Sequence, residues 1–242
     1  MIDYYTPAAE FFDLVGHRHI ASSGPAVRAA LAGLDTSHGP VVDIGAGTGL
    51  VTEVIADTLP EVEIIAAEPS PGMRAILTSR VFGHPELRRR VTVTADSAQE
   101  LALPDCISGA LLFGVAGHLT LAERKDLWQR LAGRLPAGGI VVVELMGVDT
   151  PRTIPFTRMV SETMGRQTYE WWIAGEPAGG DVMRWHTAWR VYRDGQLVRQ
   201  VEDSYDWATF GIAQLARESG MTSRQITHAS GGVTPEIGVL IK

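Results

Sequence analysis

The sequence is poor in the groups that build disulfides, metal clusters and nucleic-acid surfaces. Its 242 residues include one cysteine, Cys106, which excludes an internal disulfide and a multi-cysteine metal cluster. The 21 lysines and arginines are outnumbered by 28 aspartates and glutamates, whereas nucleic-acid binding depends on basic side chains that neutralise phosphates. We therefore expect no nucleic-acid partner, no metal, a reducing cytoplasm as the compartment, and a small buried side chain at Cys106.

Long hydrophobic runs are also missing. The longest apolar stretch, residues 107–117, is well short of the ~18 residues that indicate a membrane span. The first residues, MIDYYTPAAEFFDLVG, contain acids and lack the basic region that precedes the apolar part of a secretory signal. We expect no membrane association, and the composition fits one large globular domain.

Short apolar runs alternate with helical patterns from Pro40 to about Leu145. The runs have the length of buried strands, and the segments between them carry apolar residues at helical spacing. This alternation is typical of a doubly wound α/β sheet with parallel strands. The runs are PVVDI, VEIIAA, VTVTA, ISGALLF and GIVVVEL.

The pattern changes after residue 145. From Met183 to Trp207, β-forming residues flank an Asp-Gly pair, which is a strong hairpin signal and predicts an antiparallel ribbon. Residues 175–180 are rich in glycine and are interpreted as a mobile loop. A helix over 212–219 and two strands, near 225–229 and 237–241, are predicted to end the chain.

A glycine-rich turn follows the first apolar run, in VVDIGAGTGL. Gly45, Gly47 and Gly49 lie where the first strand of such a sheet turns into a helix, which is a usual ligand-binding position. A dinucleotide fingerprint would have glycine where Leu50 stands. Asp43 would also repel a pyrophosphate, whereas it would attract a ligand that carries an ammonium group.

This turn resembles the first motif of class I S-adenosylmethionine-dependent methyltransferases, in the form D-x-G-x-G-x-G. EPSPGM resembles the family's E-x-S-x-x-M segment, VTADSAQEL its third strand end, and RLPAGGIVVVEL its fifth strand. The resemblance covers about residues 5–145. It implies a Rossmann-like, doubly wound, seven-stranded sheet with an antiparallel terminal strand, an inserted antiparallel ribbon and an N-terminal helical lid.

The resemblance also implies which residues bind the cofactor S-adenosylmethionine. Asp43 would hold its amino group, often through water, and Glu68 would hold the ribose hydroxyls, at a spacing that also suits a ribose-binding acid. Met73 would pack on the adenine, and Asp96 would accept a hydrogen bond from the adenine amino group. The alternatives are a surface acid at Glu68, a helix cap at Asp96 and a core side chain at Met73. The implied set is Asp43, Gly45, Ala46, Gly47, Gly49, Glu68, Pro69, Met73, Asp96, Ser97 and Phe113.

Two residues are candidates for catalysis. His118, in GVAGHLT after the fourth strand, could accept a proton or orient the acceptor, or it could cap the next helix. Tyr5, in YTPAAEFFD, matches the first tyrosine of the family's Y-D-x-x-A-x-x-Y-D lid, in which Thr6 and Phe12 replace an aspartate and a tyrosine. Tyr5 is expected to contact the cofactor or the acceptor.

The predicted activity is methyl transfer to a small molecule in specialised metabolism, with S-adenosylhomocysteine as the product. Aromatic residues concentrated in the C-terminal third favour an aromatic or heteroaromatic acceptor, such as an indole or phenol, or an amine. An NAD-dependent oxidoreductase and a non-catalytic S-adenosylmethionine-binding subunit are the alternatives, and a homodimer is left open. The expected single domain divides into a lid (1–38), a cofactor-binding core (39–146), an acceptor-side insertion (147–207) and closing elements (208–242).

Overall fold

The computed structural model describes residues 3–145, 147–226 and 236–242. A 3₁₀ helix, Thr6–Phe11, continues into the long helix α1, Phe12–Leu31. The other helices are α2 (Leu50–Thr58), α3 (Pro71–Gly83), α4 (Pro85–Arg90), α5 (Leu121–Arg134) and α6 (Ile212–Ser219). In this described part of the chain, no helix is both long and apolar enough to cross a membrane.

Seven strands form the central sheet. They are β1 (Val41–Ile44), β2 (Ile64–Ala67), β3 (Val91–Thr94), β4 (Gly109–Leu112), β5 (Ile140–Leu145), β10 (Thr222–Ile226) and β11 (Glu236–Ile241). Their order is β10-β11-β5-β4-β1-β2-β3, and β11 runs antiparallel to both of its neighbours. The predicted doubly wound sheet with an antiparallel terminal strand is confirmed. Residues 227–229 of the predicted penultimate strand lie outside the described residues.

Apolar side chains cover both faces of this sheet, as its strand sequences predict. All residues of β1, β4 and β5 are buried. Helices α1, α2 and α3 contribute to the core on one face, and α5 and α6 contribute to the core on the other. The sheet is therefore a rigid platform, and the turns at its strand ends are held in place from both sides.

A second, four-stranded antiparallel sheet follows the fifth strand of the first. It consists of β6 (Ile154–Met164), β7 (Gln167–Gly179), β8 (Val182–Arg193) and β9 (Gln196–Ala208). The predicted ribbon is the β8–β9 hairpin, whose Asp194 and Gly195 both have positive φ, at 50° and 79°. The sheet packs against the N-terminal helical segment, where the rings of Phe11 and Trp189 stack with centroids 5.2 Å apart.

The interpretation of residues 175–180 as a loop was wrong. Gly175–Gly179 belongs to β7 and pairs with β8. A Cβ atom at Gly175 would lie 2.7 Å from the Cε atom of Met183 and 3.2 Å from the ring of Trp185. A larger residue here would have to displace Met183 and Trp185 of the next strand, which cover the Gly175 backbone, and composition alone could not reveal this packing.

Cys106 is exposed, which corrects the expectation of a buried side chain. It lies in the connection before β4, whereas the buried apolar run begins at the following residue, Ile107. The backbone of Cys106 nevertheless packs closely against that of Gly39, because a Cβ atom at Gly39 would approach the carbonyl oxygen of Cys106 to 2.5 Å.

Candidate active site

The carboxyl ends of four neighbouring parallel strands bring the predicted site residues to one edge of the sheet. In the order β4-β1-β2-β3, these strands lead into His118, the glycine turn, Glu68 and Asp96 respectively. The backbone amides of Gly45 and Ala46 donate hydrogen bonds to the carbonyl oxygen of Ala67, which ties the first turn to the end of β2. This edge is the usual ligand-binding position of such a sheet.

The backbone conformation and the surroundings of each of the three turn glycines explain why glycine is found there. All have positive φ, at 70° for Gly45, 59° for Gly47 and 92° for Gly49. A Cβ atom at Gly45 would lie 2.3 Å from Val115 Cγ2, and one at Gly49 would lie 2.7 Å from Leu77 Cδ1. No described atom lies within 4 Å of a Cβ atom at Gly47. The backbone of Gly47 is therefore the part of the turn that a ligand can approach closely.

Leu50, which departs from the dinucleotide fingerprint, contacts the N-terminal helix. A Cβ atom at Gly16 of α1 would lie 2.5 Å from Leu50 Cδ1, so Gly16 allows the two helices to approach each other. The residue that replaces a fingerprint glycine thus packs α1 onto the start of α2.

Asp43 is a fully buried carboxyl group at the end of β1. Its Oδ2 accepts a hydrogen bond of 2.6 Å from Thr52 Oγ1, whereas its Oδ1 is buried with no hydrogen-bond partner among the described residues. Burial raises the pKa of Asp43 to about 7, the hydrogen bond from Thr52 opposes this rise, and the negative charge of Glu68 adds to it. A cationic partner would relieve both the missing hydrogen bond and the raised pKa.

Glu68 is also buried, and it fastens the glycine turn to β2. Its two carboxyl oxygens accept hydrogen bonds of 2.8 Å from the backbone amides of Gly47 and Ser70. Burial raises the pKa of Glu68, and these two hydrogen bonds oppose the rise. Glu68 therefore shapes the turn in addition to the ribose-binding role that the resemblance implies.

The other predicted cofactor residues differ in exposure. Met73 and Ser97 are buried, Asp96 is half-buried, and Pro69 is exposed. Phe113 is half-buried and packs against a core cluster. The alternative that Asp96 caps a helix was wrong, since in the described chain β3 is followed by a turn and the next helix starts at residue 116.

The two predicted catalytic residues contact each other. Tyr5 Oη and His118 Nε2 are 2.5 Å apart, although the residues are 113 positions apart in the chain. Burial lowers the pKa of His118 to about 4 and raises the pKa of Tyr5 well above its usual value. Both side chains are therefore neutral near pH 7. The alternative that His118 caps the next helix was wrong, because Thr120 forms a capping box with Glu123 there.

Two aromatic residues that the sequence did not single out for the site also contact His118. The ring centroids of Tyr205 and Trp207, both on β9, lie 5.2 and 4.8 Å from that of His118. A Cβ atom at Gly117 would lie 2.0 Å from Trp207 Cε2, so Gly117 makes room for the indole. The high aromatic content of the C-terminal third was the available signal, but it could not indicate which rings reach the site.

His17 and His19, which are two residues apart near the N-terminus, lie in different surroundings. His17 is exposed, and His19 contacts the carboxylate of Glu144 on β5, which raises the pKa of His19 against the effect of its burial. Among the described residues, no three or more His, Cys, Asp or Glu side chains are grouped closely enough to hold a metal ion.

Comparisons with known proteins agree with this geometry. Residues 41–139 match the family model described as a methyltransferase domain. CalS10 from Micromonospora echinaspora, an amino pentose methyltransferase involved in calicheamicin biosynthesis, is 19% identical, with 93% of this chain and 91% of that chain covered and a TM-score of 0.67. DesVI from Streptomyces venezuelae is 18% identical, with 97% and 98% covered and a TM-score of 0.71.

A third similar structure is the sugar N-methyltransferase KedS8 from a Streptoalloteichus species. It is 17% identical, with 92% of this chain and 87% of that chain covered and a TM-score of 0.66. At these identities the likeness shows a shared fold, and the family model matches the part of the chain that contains the glycine turn, Glu68 and His118. Residues 41–139 therefore match a methyltransferase domain, and the chain shares its fold with known methyltransferases.

Proposed function

We propose that the protein transfers the methyl group of S-adenosylmethionine to an amine on a small molecule of specialised metabolism. The observation that carries the proposal is the arrangement at the sheet edge, where the buried Asp43 carboxyl group lies beneath an open glycine turn and a neutral Tyr5–His118 pair lies beside it. In this proposal residues 1–38 cover the cofactor, 39–146 bind it, 147–207 cover the acceptor and 208–242 close the sheet.

The residues present fit the proposed cofactor. The unpartnered Oδ1 of Asp43 suits the ammonium group of its methionine part, and the open face of Gly47 admits a ligand against the backbone. Glu68 has lone pairs left after accepting two amide hydrogen bonds, so it can also accept hydrogen bonds from ribose hydroxyls. Met73, Asp96 and the Ser97 amide are proposed to hold the adenine, with Gly45, Ala46, Gly49, Pro69 and Phe113 completing the pocket.

When bound, S-adenosylmethionine would supply an electrophilic methyl group, because that group is attached to a positively charged sulfur. The protein's task is to hold the acceptor in position for attack on that group and to take up a proton from the acceptor nitrogen. The low pKa of His118 keeps its imidazole neutral near pH 7. Because Tyr5 and His118 are hydrogen-bonded, we propose that they orient the acceptor together, and that the neutral pair passes the acceptor's proton on to solvent.

An amine is favoured over the other acceptors for two reasons. Two of the similar proteins are described as an amino pentose methyltransferase and a sugar N-methyltransferase. In addition, the faces of Tyr205 and Trp207 could stabilise the positive charge that a methylated nitrogen acquires before it loses its proton. The same rings could instead stack on a flat indole or phenol, which is the second candidate acceptor class.

Binding and turnover measurements test the proposal. Calorimetry is expected to detect S-adenosylmethionine and S-adenosylhomocysteine but not NAD, and Asp43→Ala and Glu68→Ala are each expected to weaken binding by about 1 to 3 kcal/mol. Unchanged affinity in both variants would contradict the assigned cofactor site. Release of S-adenosylhomocysteine with amino sugars, indoles and phenols then identifies the acceptor class, and no release with any acceptor would favour the non-catalytic alternative.

A homodimer stays an open possibility, and a cytoplasmic location stays a prediction from the sequence. Light scattering of the purified protein tests the first, and a molar mass near that of the 26.1 kDa chain would contradict it.

A further inference from the structure

Arg80 on α3 is hydrogen-bonded to three separate parts of the chain. Its Nε donates to the carbonyl oxygen of Thr48 in the glycine turn, at 2.8 Å. One terminal nitrogen donates to Glu53 of α2 at 2.9 Å, and the other donates to Asp13 of α1 at 2.5 Å. The three donors of one planar guanidinium thus connect the turn, the helix that follows it and the N-terminal helix.

The side chain of Arg80 is 13% exposed, against 33% for Asp13 and 28% for Glu53. Partial burial makes these ion pairs stronger than fully exposed ones, which contribute little. The stem of Arg80 lies under the turn as well, because a Cβ atom at Gly49 would be 3.2 Å from Arg80 Cδ. A lysine could not reproduce the arrangement, since it has one nitrogen and no planar fork.

The contact with Asp13 is the only one of the three that reaches the N-terminal segment. A different contact holds the start of that segment, where Thr6 Oγ1 accepts a hydrogen bond of 3.0 Å from the Gly72 amide. Loss of the Arg80–Asp13 pair would therefore remove the charged attachment of α1 to the turn, while the apolar packing of α1 on Leu50 and Trp189 remains. The pair thus affects how tightly the beginning of α1 is held without affecting the sheet.

We propose that Arg80 is a positioning residue that latches α1 to the glycine turn, so that opening of the Arg80–Asp13 pair sets how fast the spent cofactor leaves. The inference rests on the proposed function. Arg80 does not touch the reacting atoms in this scheme. It acts through Thr48, which shapes the turn, and through Asp13, which keeps α1 closed over it.

Asp13→Asn is the sharpest test, because it removes the charge while keeping the size of the side chain and the other two bonds of Arg80. S-adenosylhomocysteine is expected to dissociate roughly 5- to 30-fold faster in stopped-flow experiments, as expected for a lost charge-assisted hydrogen bond. The KM for S-adenosylmethionine should rise while the KM for the acceptor stays within about twofold. Hydrogen exchange of α1 in the ligand-free protein should also increase.

Glu53→Gln is the matched control, since it removes the other carboxylate of Arg80 without touching α1. Glu53→Gln is expected to leave the hydrogen exchange of α1 and the dissociation of S-adenosylhomocysteine close to wild type. A second control, Arg89→Gln, breaks the exposed Arg89–Glu86 pair and is expected to do the same. Equal effects of Asp13→Asn and Glu53→Gln would overturn the latch, and so would unchanged dissociation and exchange in Asp13→Asn. Failure of the wild-type protein to bind S-adenosylhomocysteine would instead refute the proposed function, and exchange of the ligand-free protein would still test the latch.

Discussion

The pKa of Asp43 makes cofactor binding depend on pH in a calculable way. Burial raises this pKa to about 7, and only the ionised carboxylate attracts the ammonium group of the ligand. Below this pKa, binding must first remove the proton, so the apparent affinity falls in proportion to the ionised fraction. With a pKa of about 7, roughly 1% of Asp43 is ionised at pH 5 and about half at pH 7.

The affinity for S-adenosylhomocysteine is therefore expected to rise roughly 50-fold from pH 5 to pH 7. This product is the better probe, because its sulfur is uncharged and its ammonium group stays protonated over that range. Calorimetry in buffers of different ionisation enthalpy should also show the release of about 0.9 proton per ligand bound at pH 6.

Two variants separate Asp43 from its neighbours in this experiment. Asp43→Asn should bind weakly and with little dependence on pH, whereas Glu68→Gln should retain most of the dependence, although burial raises the pKa of Glu68 as well. A pH-independent affinity of the wild-type protein, or an unchanged pH dependence in Asp43→Asn, would refute the reasoning.

Four further predictions concern single positions. The free energy of unfolding of the ligand-free wild type should fall as pH rises from about 4 to about 7, because folded Asp43 retains a proton that the unfolded carboxyl group has released. Asp43→Asn lacks this proton and should therefore gain stability relative to the wild type over that range, which urea titrations of both proteins would check. Asp96→Asn should weaken cofactor binding less than Asp96→Ala, because an amide oxygen can still accept from the adenine amino group; equal and negligible losses in calorimetry would remove Asp96 from the site. His118→Ala should lower kcat by roughly 10- to 10⁴-fold with cofactor affinity nearly intact, and normal turnover would retire it as a catalytic residue. Gly117→Ala should lower stability by about 1 to 3 kcal/mol, because the new methyl group would overlap the indole of Trp207, and an unchanged melting temperature would contradict that packing.

The sequence was sufficient for the central sheet and for the positions of its turns. Buried parallel strands must be apolar along their whole length, so each can be recognised from its own short segment of sequence. The glycines at 45, 47 and 49 are required by the backbone conformation of a single turn, which is also a local property. Asp43 and Glu68 were recognisable for the same reason, since each is an acid placed directly at or after a strand end.

The second sheet was only half predictable. Its β8–β9 hairpin has an Asp-Gly turn, which is a local signal. Strands β6 and β7 were not predicted, although Gly165 and the Gly179–Gly180 pair at their ends have positive φ and are turn signals. Most residues of β6 are exposed, so that strand has no apolar alternation that would have identified it. Gly175 belongs to a strand because its backbone pairs with Trp185 of β8, which is a property of the partner strand.

Contacts between distant segments were decided by the tertiary structure alone. The sequence named Tyr5 and His118 separately, but only folding brings their side chains together across 113 positions and sets the pKa of His118 through burial. Tyr205, Trp207 and Arg80 reach the site for the same reason. Their local sequence specifies a strand or a helix, whereas what each side chain touches depends on how that strand or helix packs against the rest of the chain.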